Sequence, residues 1–158
     1  MSKAVVDFMK KDEIKKVAEL SYMVGKLHDE NLPKYFNQTS QEEHLRIIEE
    51  MERDKNCHIL VARIKGSVVG FACFGIINNE QKGYKVKRVG VIYNLGVDEE
   101  FRRIGVGKEL VYRAMEKFRE EKCEAVDLNV FWFNKEALEF YKKLGFEVLD
   151  VNLRKGLE

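Results

Sequence analysis

The stretch from Val89 to Leu110 constrains this chain more than any other. An apolar strand pattern (Val89, Val91, Ile92, Leu95, Val97) runs into the acidic turn Asp98-Glu99-Glu100. The chain then passes through Arg102-Arg103-Ile104-Gly105-Val106-Gly107 directly into an amphipathic helix. A strand that feeds a helix through a glycine turn leaves backbone N–H groups unpaired at the helix N-terminus, and glycines let a ligand come close to the main chain. Those free donors and the partial positive charge of the terminus attract phosphate. Arg102, Arg103 and Lys108 add full charges at the same place. The segment has the makings of a pyrophosphate site.

Two common phosphate loops fail on spacing. A nucleotide P-loop requires Gly-x-x-x-x-Gly-Lys-Ser/Thr, but Gly107-Lys108 is followed by Glu109, and Arg102 stands where the first glycine belongs. A dinucleotide fingerprint requires Gly-x-Gly-x-x-Gly, and Gly105-x-Gly107 is followed by Leu110 instead of the third glycine. A phosphate-loop kinase or nucleotidase is therefore disfavoured.

The bulk of the chain sets the class. With 158 residues, one domain spanning 1–158 is expected. Lys and Arg number 28 against 27 Asp and Glu, a net charge of +1, which argues against a dedicated nucleic-acid binder. The longest apolar run, Val68 to Ile77, is about half of what a membrane span requires, and Met1 to Asp12 carries Lys3, Asp7 and Lys10 without a signal-peptide pattern. Cys57, Cys73 and Cys123 have no Cys-x-x-Cys spacing and read as reduced, largely buried thiols of a cytoplasmic protein. His28, His44 and His58 are scattered without metal-ligand spacing, so no metal site is expected.

Element signals follow one another without repeats or linkers. Ala4 to Phe8 reads as a first strand. Asp12 to about Glu30 reads as an amphipathic helix with Ile14, Val17, Ala18, Ser21, Val24 and Gly25 on one face. After a loop containing Pro33, Tyr35 and Phe36, Ser40-x-x-Glu43 forms a capping box ahead of Leu45, Ile48 and Met51. His58 to Ile64 and Val68 to Ile77 are strands joined by Lys65-Gly66-Ser67, a hairpin signature. Past the glycine loop come a helix (Leu110, Val111, Ala114, Phe118), a strand over Ala125 to Val130, a helix over Asn134 to Leu144 stopped by Gly145, and a closing strand over Phe146 to Leu153. The order β-α-α-β-β-β-α-β-α-β predicts an α/β (α+β) chain, a single mixed sheet with helices on both faces.

Arg102, Gly105 and Gly107 meet the pattern Arg/Gln-x-x-Gly-x-Gly/Ala, which resembles the acetyl-CoA loop of the GCN5-related N-acetyltransferase (GNAT) family. One strand further on, Asn134-Lys-Glu-Ala137-Leu-Glu-Phe140-Tyr141-Lys-Lys-Leu-Gly145-Phe146 resembles the family's Asn-x-x-Ala-x-x-Phe-Tyr-x-x-x-Gly-Phe segment at every marked position. The element order is also the family's. Specific residues match from about Tyr93 to Phe146, and residues 1–83 match in outline.

The resemblance implies a GNAT-like acyl-CoA N-acyltransferase fold with acetyl-CoA as acetyl-donor co-substrate. A bulged strand would pair its free backbone at Leu95 and Val97 with the pantetheine arm, and Gly96 between them suits a bulge or a close backbone approach. The N–H groups of Arg103, Ile104, Gly105, Val106, Gly107 and Lys108 would hold the pyrophosphate, with Arg102 at the head of the motif. Asn134 and Tyr141 lie seven apart, on one face of their helix. On the residues alone they read as an N-cap and a core aromatic. The resemblance places Asn134 against the co-substrate and Tyr141 near the thioester sulfur, as the general acid.

The catalytic base is less well marked. Many relatives carry a glutamate on the strand before the loop, where this chain has Tyr93 and Asn94. Ordered water, or His28 and Glu30 on location alone, are the candidates. Leu32, Tyr35 and Phe36 would wall the acceptor pocket. The expected acceptor is a primary amine, a small-molecule amine (polyamine, amino-acid derivative or aminoglycoside) ahead of a protein N-terminus or lysine. A non-catalytic acyl-CoA-binding sensor is the reading from another class, and a homodimer is an assembly the resemblance allows.

Overall fold

The structure, a computed structural model, describes residues 3–158. Strand β1 (Val5–Phe8) is followed by helix α1 (Ile14–Asn31), entered through a 3-10 turn at Lys11–Glu13, and by α2 (Gln41–Arg53). Strands β2 (Cys57–Ile64), β3 (Ser67–Asn78) and β4 (Arg88–Val97) come next, then α3 (Val106–Glu120), β5 (Ala125–Leu128) and α4 (Lys135–Lys143). The sheet has the order β1-β2-β3-β4-β5, antiparallel throughout except for the parallel β4–β5 pair.

Local chemistry sets these elements. Ser40 accepts from the N–H of Glu43 while Glu43 reaches back to Ser40, so the capping box starts α2 as its sequence predicts. Lys65 and Gly66 both take positive φ (50° and 82°), the pairing that matches a two-residue hairpin turn to strand twist.

Period-two alternation divides the core between the two faces of the sheet. Leu60, Ala62, Ala72, Phe74 and Ile92 pack under Leu110, Val111, Ala114 and Phe118 of α3. Ile59, Val61, Phe71 and Cys73 pack under Val17, Ala18 and Leu20 of α1 and Ile48 of α2. A side chain as completely buried as Phe118 contributes about 1.5–3 kcal/mol. Its ring fits because Gly90 leaves room: a Cβ at Gly90 would lie 2.4 Å from the ring.

Strand β4 departs from regular pairing in two ways. Cys73 pairs with Asn94 and Phe74 with Ile92, so Tyr93 is an extra residue, a bulge. In addition, β5 pairs with β4 only along Val89–Ile92. Beyond Ile92 the two parallel strands part, and a wedge opens between 93–97 and the connection after Leu128.

The sequence expectation fails at one element. Phe146 to Leu153 does not join the sheet, and Val148, Leu149, Val151 and Leu153 are exposed. These residues pair with no strand among the described residues, and their apolar side chains find no core to pack against. Cys57, Cys73 and Cys123 are free thiols, Cys73 buried and the others partly so. Among the described residues no helix is long and apolar enough to cross a membrane.

Candidate active site

The open edge of β4 can be read from its register. Asp98 donates its N–H to Val69 O at 2.8 Å, just past the Gly70–Val97 pair. Antiparallel ladders alternate between hydrogen-bonded and non-bonded pairs. Gly96 and Asn94 therefore turn their backbone groups to β3, while Leu95 and Val97 turn theirs to the side that β5 has left. The carbonyl of Val97 is already engaged, accepting from Arg102 Nε at 3.2 Å. The N–H and C=O of Leu95 and the N–H of Val97 remain for a strand-like ligand.

Gly96 is not the bulge, which falls at Tyr93. It answers instead to close approach: a Cβ there would sit 2.7 Å from Phe71 Cε1 and 2.9 Å from Val24 Cγ2, so glycine lets α1 press onto β4.

The glycine loop lies where this edge ends. Arg103 (φ 62°) and Gly105 (φ 93°) both take the left-handed conformation, and Gly105 is the N-cap of α3. Among the described residues, the backbone N–H groups of Arg103, Ile104, Gly105, Val106, Gly107 and Lys108 find no backbone acceptor; the helical ladder begins with Glu109 donating to Gly105 O at 3.0 Å. An ordinary helix leaves four such donors, and the turn adds two. Nothing lies within 4 Å of a Cβ built on Gly105. A row of unspent donors at a helix N-terminus suits a diphosphate. A Cβ on Gly107 would fall between Phe140 Cζ (3.3 Å) and Val97 Cγ2 (3.8 Å), inside the wedge.

The cations converge less than their sequence spacing suggests. Arg102 turns back to Val97, Arg103 reaches Glu136 at 3.7 Å in the open, and Lys108 lies 5.5 Å from the Tyr112 ring. The anion-binding capacity here is mainly that of the backbone.

Helix α4 closes the other wall. Asn134 caps it, its Oδ1 accepting from Ala137 N at 3.1 Å. That leaves the amide Nδ2 as its unspent group. Tyr141 is 9% exposed and packs against Phe140 and Phe146. Burial pushes its hydroxyl up to about 12. The hydroxyl has no hydrogen-bond partner among the described residues, yet no buried side-chain N or O there is unsatisfied, so the oxygen keeps some contact with solvent. The loop and α4 meet through Arg103–Glu136 and Gly107–Phe140.

The face towards α1 holds groups that sequence reasoning did not assemble. His28 stacks edge-on to Phe131 (4.8 Å) and lies 6.2 Å from Phe36 and 6.0 Å from Phe133, an aromatic wall joining the α1–α2 loop to the connection after β5. Desolvation lowers the His28 pKa, against a smaller opposing effect of Asp29. Glu30 points elsewhere, 3.8 Å from Lys26 on the surface. Tyr93 lies over Gly75, where a Cβ would come within 2.9 Å of its ring. Asn94 faces Ser21 of α1. The run Phe131-Trp132-Phe133 was the available sequence signal for the aromatic wall; nothing in the sequence marked the Ser21–Asn94 approach.

Comparisons with known proteins agree with this geometry. A sequence model described as the acetyltransferase (GNAT) family matches residues 22–146. An uncharacterized N-acetyltransferase of Methanocaldococcus jannaschii is 36% identical over 104 residues, 64% of this chain. The matched part is 43% of that relative's length, less than half. An N-alpha-acetyltransferase of Sulfurisphaera tokodaii is 34% identical over 127 residues, covering 77% of this chain and 69% of that protein. Among solved structures, an aminoglycoside N-acetyltransferase in complex with CoA superposes with a TM-score of 0.80 over 99% of this chain and 96% of its own, at 19% identity.

Proposed function

The chain belongs to the GNAT family of acetyltransferases, and from that premise we propose that it is an acetyl-CoA-dependent N-acetyltransferase acting on a primary amine. The observation that most supports this reading is the set of six unspent N–H groups at 103–108, on a loop that meets α4, the helix of Tyr141, through Arg103–Glu136 and Gly107–Phe140.

Each residue has a task under this reading. The N–H groups of Arg103 to Lys108 hold the diphosphate, and Leu95 with Val97 hold the pantetheine arm as a further strand would be held. Asn134 contributes Nδ2 from the rim of α4. Acetyl-CoA supplies the acetyl group as a thioester, which a neutral amine attacks with CoA thiolate leaving. Tyr141, whose pKa burial raises further above neutrality, donates its proton to the departing sulfur, and the proton that the acetylated nitrogen sheds passes through solvent to restore the tyrosine hydroxyl. An N–H group of the open edge of β4 donates to the developing oxyanion.

For the acceptor, the α-amine of a peptide is the class supported by the Sulfurisphaera relative, which is similar in sequence along most of this chain. The small-molecule amine expected from the family resemblance has support from solved structures at identities that carry the fold only. The wall of His28, Phe36, Phe131 and Phe133 suits an apolar side chain beside the reacting nitrogen.

The test is CoA-thiol release from acetyl-CoA with peptides bearing a free N-terminus, Nα-blocked lysine peptides, polyamines and aminoglycosides. Release with free N-terminal peptides alone is the expected result. Release only with a polyamine or aminoglycoside restores the small-molecule acceptor. Binding of acetyl-CoA without release in any arm supports the sensor reading instead.

A further inference from the structure

Behind the open half of β4, five side chains form one continuous polar line. Asp29 Oδ2 lies 3.2 Å from Thr39 Oγ1, and Thr39 Oγ1 lies 3.0 Å from His44 Nε2. His44 Nδ1 is 2.9 Å from Ser21 Oγ, and Ser21 Oγ is 3.5 Å from Asn94 Nδ2, the longest link. Ser21 and His44 are buried, at 1% and 7% exposure. The line starts at a carboxylate on α1 and ends at the residue beside the β4 bulge.

The carboxylate end favours one direction along the line. The single Thr39 hydroxyl proton goes to Asp29, so Thr39 accepts from His44 and the imidazole carries its proton on Nε2. Nδ1 is then bare and accepts from Ser21. Ser21 has no second proton, so it accepts from Asn94, which must present its NH2 group. The reverse order would leave Thr39 Oγ1 and Asp29 Oδ2 facing each other at 3.2 Å without a proton between them, with the Thr39 backbone N–H, 3.0 Å from Oδ2, as the only donor Thr39 offers that carboxylate. Desolvation lowers the His44 pKa, against smaller opposing effects of Asp29 and Glu43, which favours the neutral ring this order needs.

A glycine makes room for the line. A Cβ at Gly25 would come 2.6 Å from His44 Nε2, so this helix position takes glycine against its propensity and the imidazole lies on its bare Cα. With Nδ2 engaged, Asn94 Oδ1 has no partner among the described residues, and since none of their buried polar side-chain atoms is unsatisfied, it keeps some contact with solvent. It stands on the half of β4 that has no β5 partner.

Building on the acetyltransferase reading, we propose that this line holds the Asn94 amide with its oxygen turned into the cleft, where it accepts a hydrogen bond from the N–H of the acceptor amine and orients the nitrogen lone pair for attack. Asn94 touches the substrate. Ser21 and His44 are positioning residues.

Ring-nitrogen NMR of His44 in the 15N-labelled full chain tests the orientation without needing activity. A neutral ring protonated on Nε2 is expected near neutral pH. A ring protonated on Nδ1 overturns the proposal. In the thiol-release assay, Asn94→Ala and Gly25→Ala each lower kcat/KM for the amine about tenfold, the scale of one lost hydrogen bond, and leave acetyl-CoA affinity unchanged. The double variant falls no further than either single one. Ser21→Ala, which breaks the same line without adding bulk, repeats the loss if Gly25→Ala does not fold. Full amine turnover in folded Asn94→Ala, or in Ser21→Ala, overturns the proposal. If the wild-type chain acetylates no amine, the acetyltransferase reading fails and takes the amine contact with it, while the ring-nitrogen result still decides how Asn94 is held.

Discussion

Arg102 Nε donates to the carbonyl of Val97 across 3.2 Å, fastening the start of the glycine loop to the last residue of the open edge of β4. The guanidinium acts as a clasp between the two backbone surfaces proposed to hold acetyl-CoA. Arg102→Ala frees the loop to move against the strand. With a net value of about 1 kcal/mol for such a bond, acetyl-CoA affinity should fall about five- to tenfold by titration calorimetry, with little change in melting temperature. Unchanged affinity would show that the loop holds its place without the clasp.

Tyr141→Phe separates binding from turnover. Its ring packing is preserved, so acetyl-CoA affinity should be that of the wild type, while kcat falls by about 10²–10⁴ if the hydroxyl is the general acid. A hydroxyl with its pKa raised to about 12 stays protonated throughout the working range. The kcat profile should therefore rise as the amine loses its proton and show no alkaline fall before the protein itself unfolds. A falling limb near pH ~10, the ordinary tyrosine value, would contradict the assignment.

Gly105→Ala tests conformation apart from space. The position has φ 93° with nothing within 4 Å of an added Cβ, so the cost is backbone strain alone. About 1–2 kcal/mol is expected, a drop of about 2–8 °C in melting temperature for a chain of this size. A variant with unchanged melting temperature would show that the turn has relaxed to another conformation.

How much of the fold was legible in the sequence varies with the range of the interaction. The Ser40–Glu43 box, the Lys65-Gly66 turn and the Asn134 cap are local, and their residue types predict what the structure contains. The glycine loop was equally local. The bulge was not: Tyr93 is displaced because β3 and β4 change register opposite Cys73 and Phe74, a pairing between distant segments. Gly96 showed itself as a special position, but only the packing of Val24 and Phe71 tells which kind. The closing strand was expected from the apolar residues after Phe146, which promise a strand without naming a partner. Ser21, His44 and Asn94 belong to three elements, and no spacing in the sequence could bring them together.

Acid should weaken the fold in two stages, both with the same sign. Neutral His44 is favoured in the folded chain, so its contribution is complete above the unfolded value of about 6.5 and is lost as pH falls below it. Glu13 is held below its ordinary value first by hydrogen bonds from Arg63, at 2.6 and 2.7 Å, so its contribution is present above about 4.5 and is lost as pH falls through the lowered value. Urea midpoints tracked downward from pH ~8 should fall in both windows. Glu13→Gln should remove the lower step and leave the upper one, and a lower step that persists in this variant would assign it to another carboxylate.

The most direct measurement is acetyl-CoA binding to the wild-type chain and to Gly107→Glu by titration calorimetry, with circular dichroism to confirm that the variant is folded. The added side chain starts between Val97 and Phe140 and carries a negative charge into the wedge beside the N–H groups of 103–108. Saturable binding to the wild type, lost in folded Gly107→Glu and not displaced by ATP with Mg²⁺, is the predicted result. Undiminished binding to the folded variant, or displacement by ATP with Mg²⁺, would contradict the site.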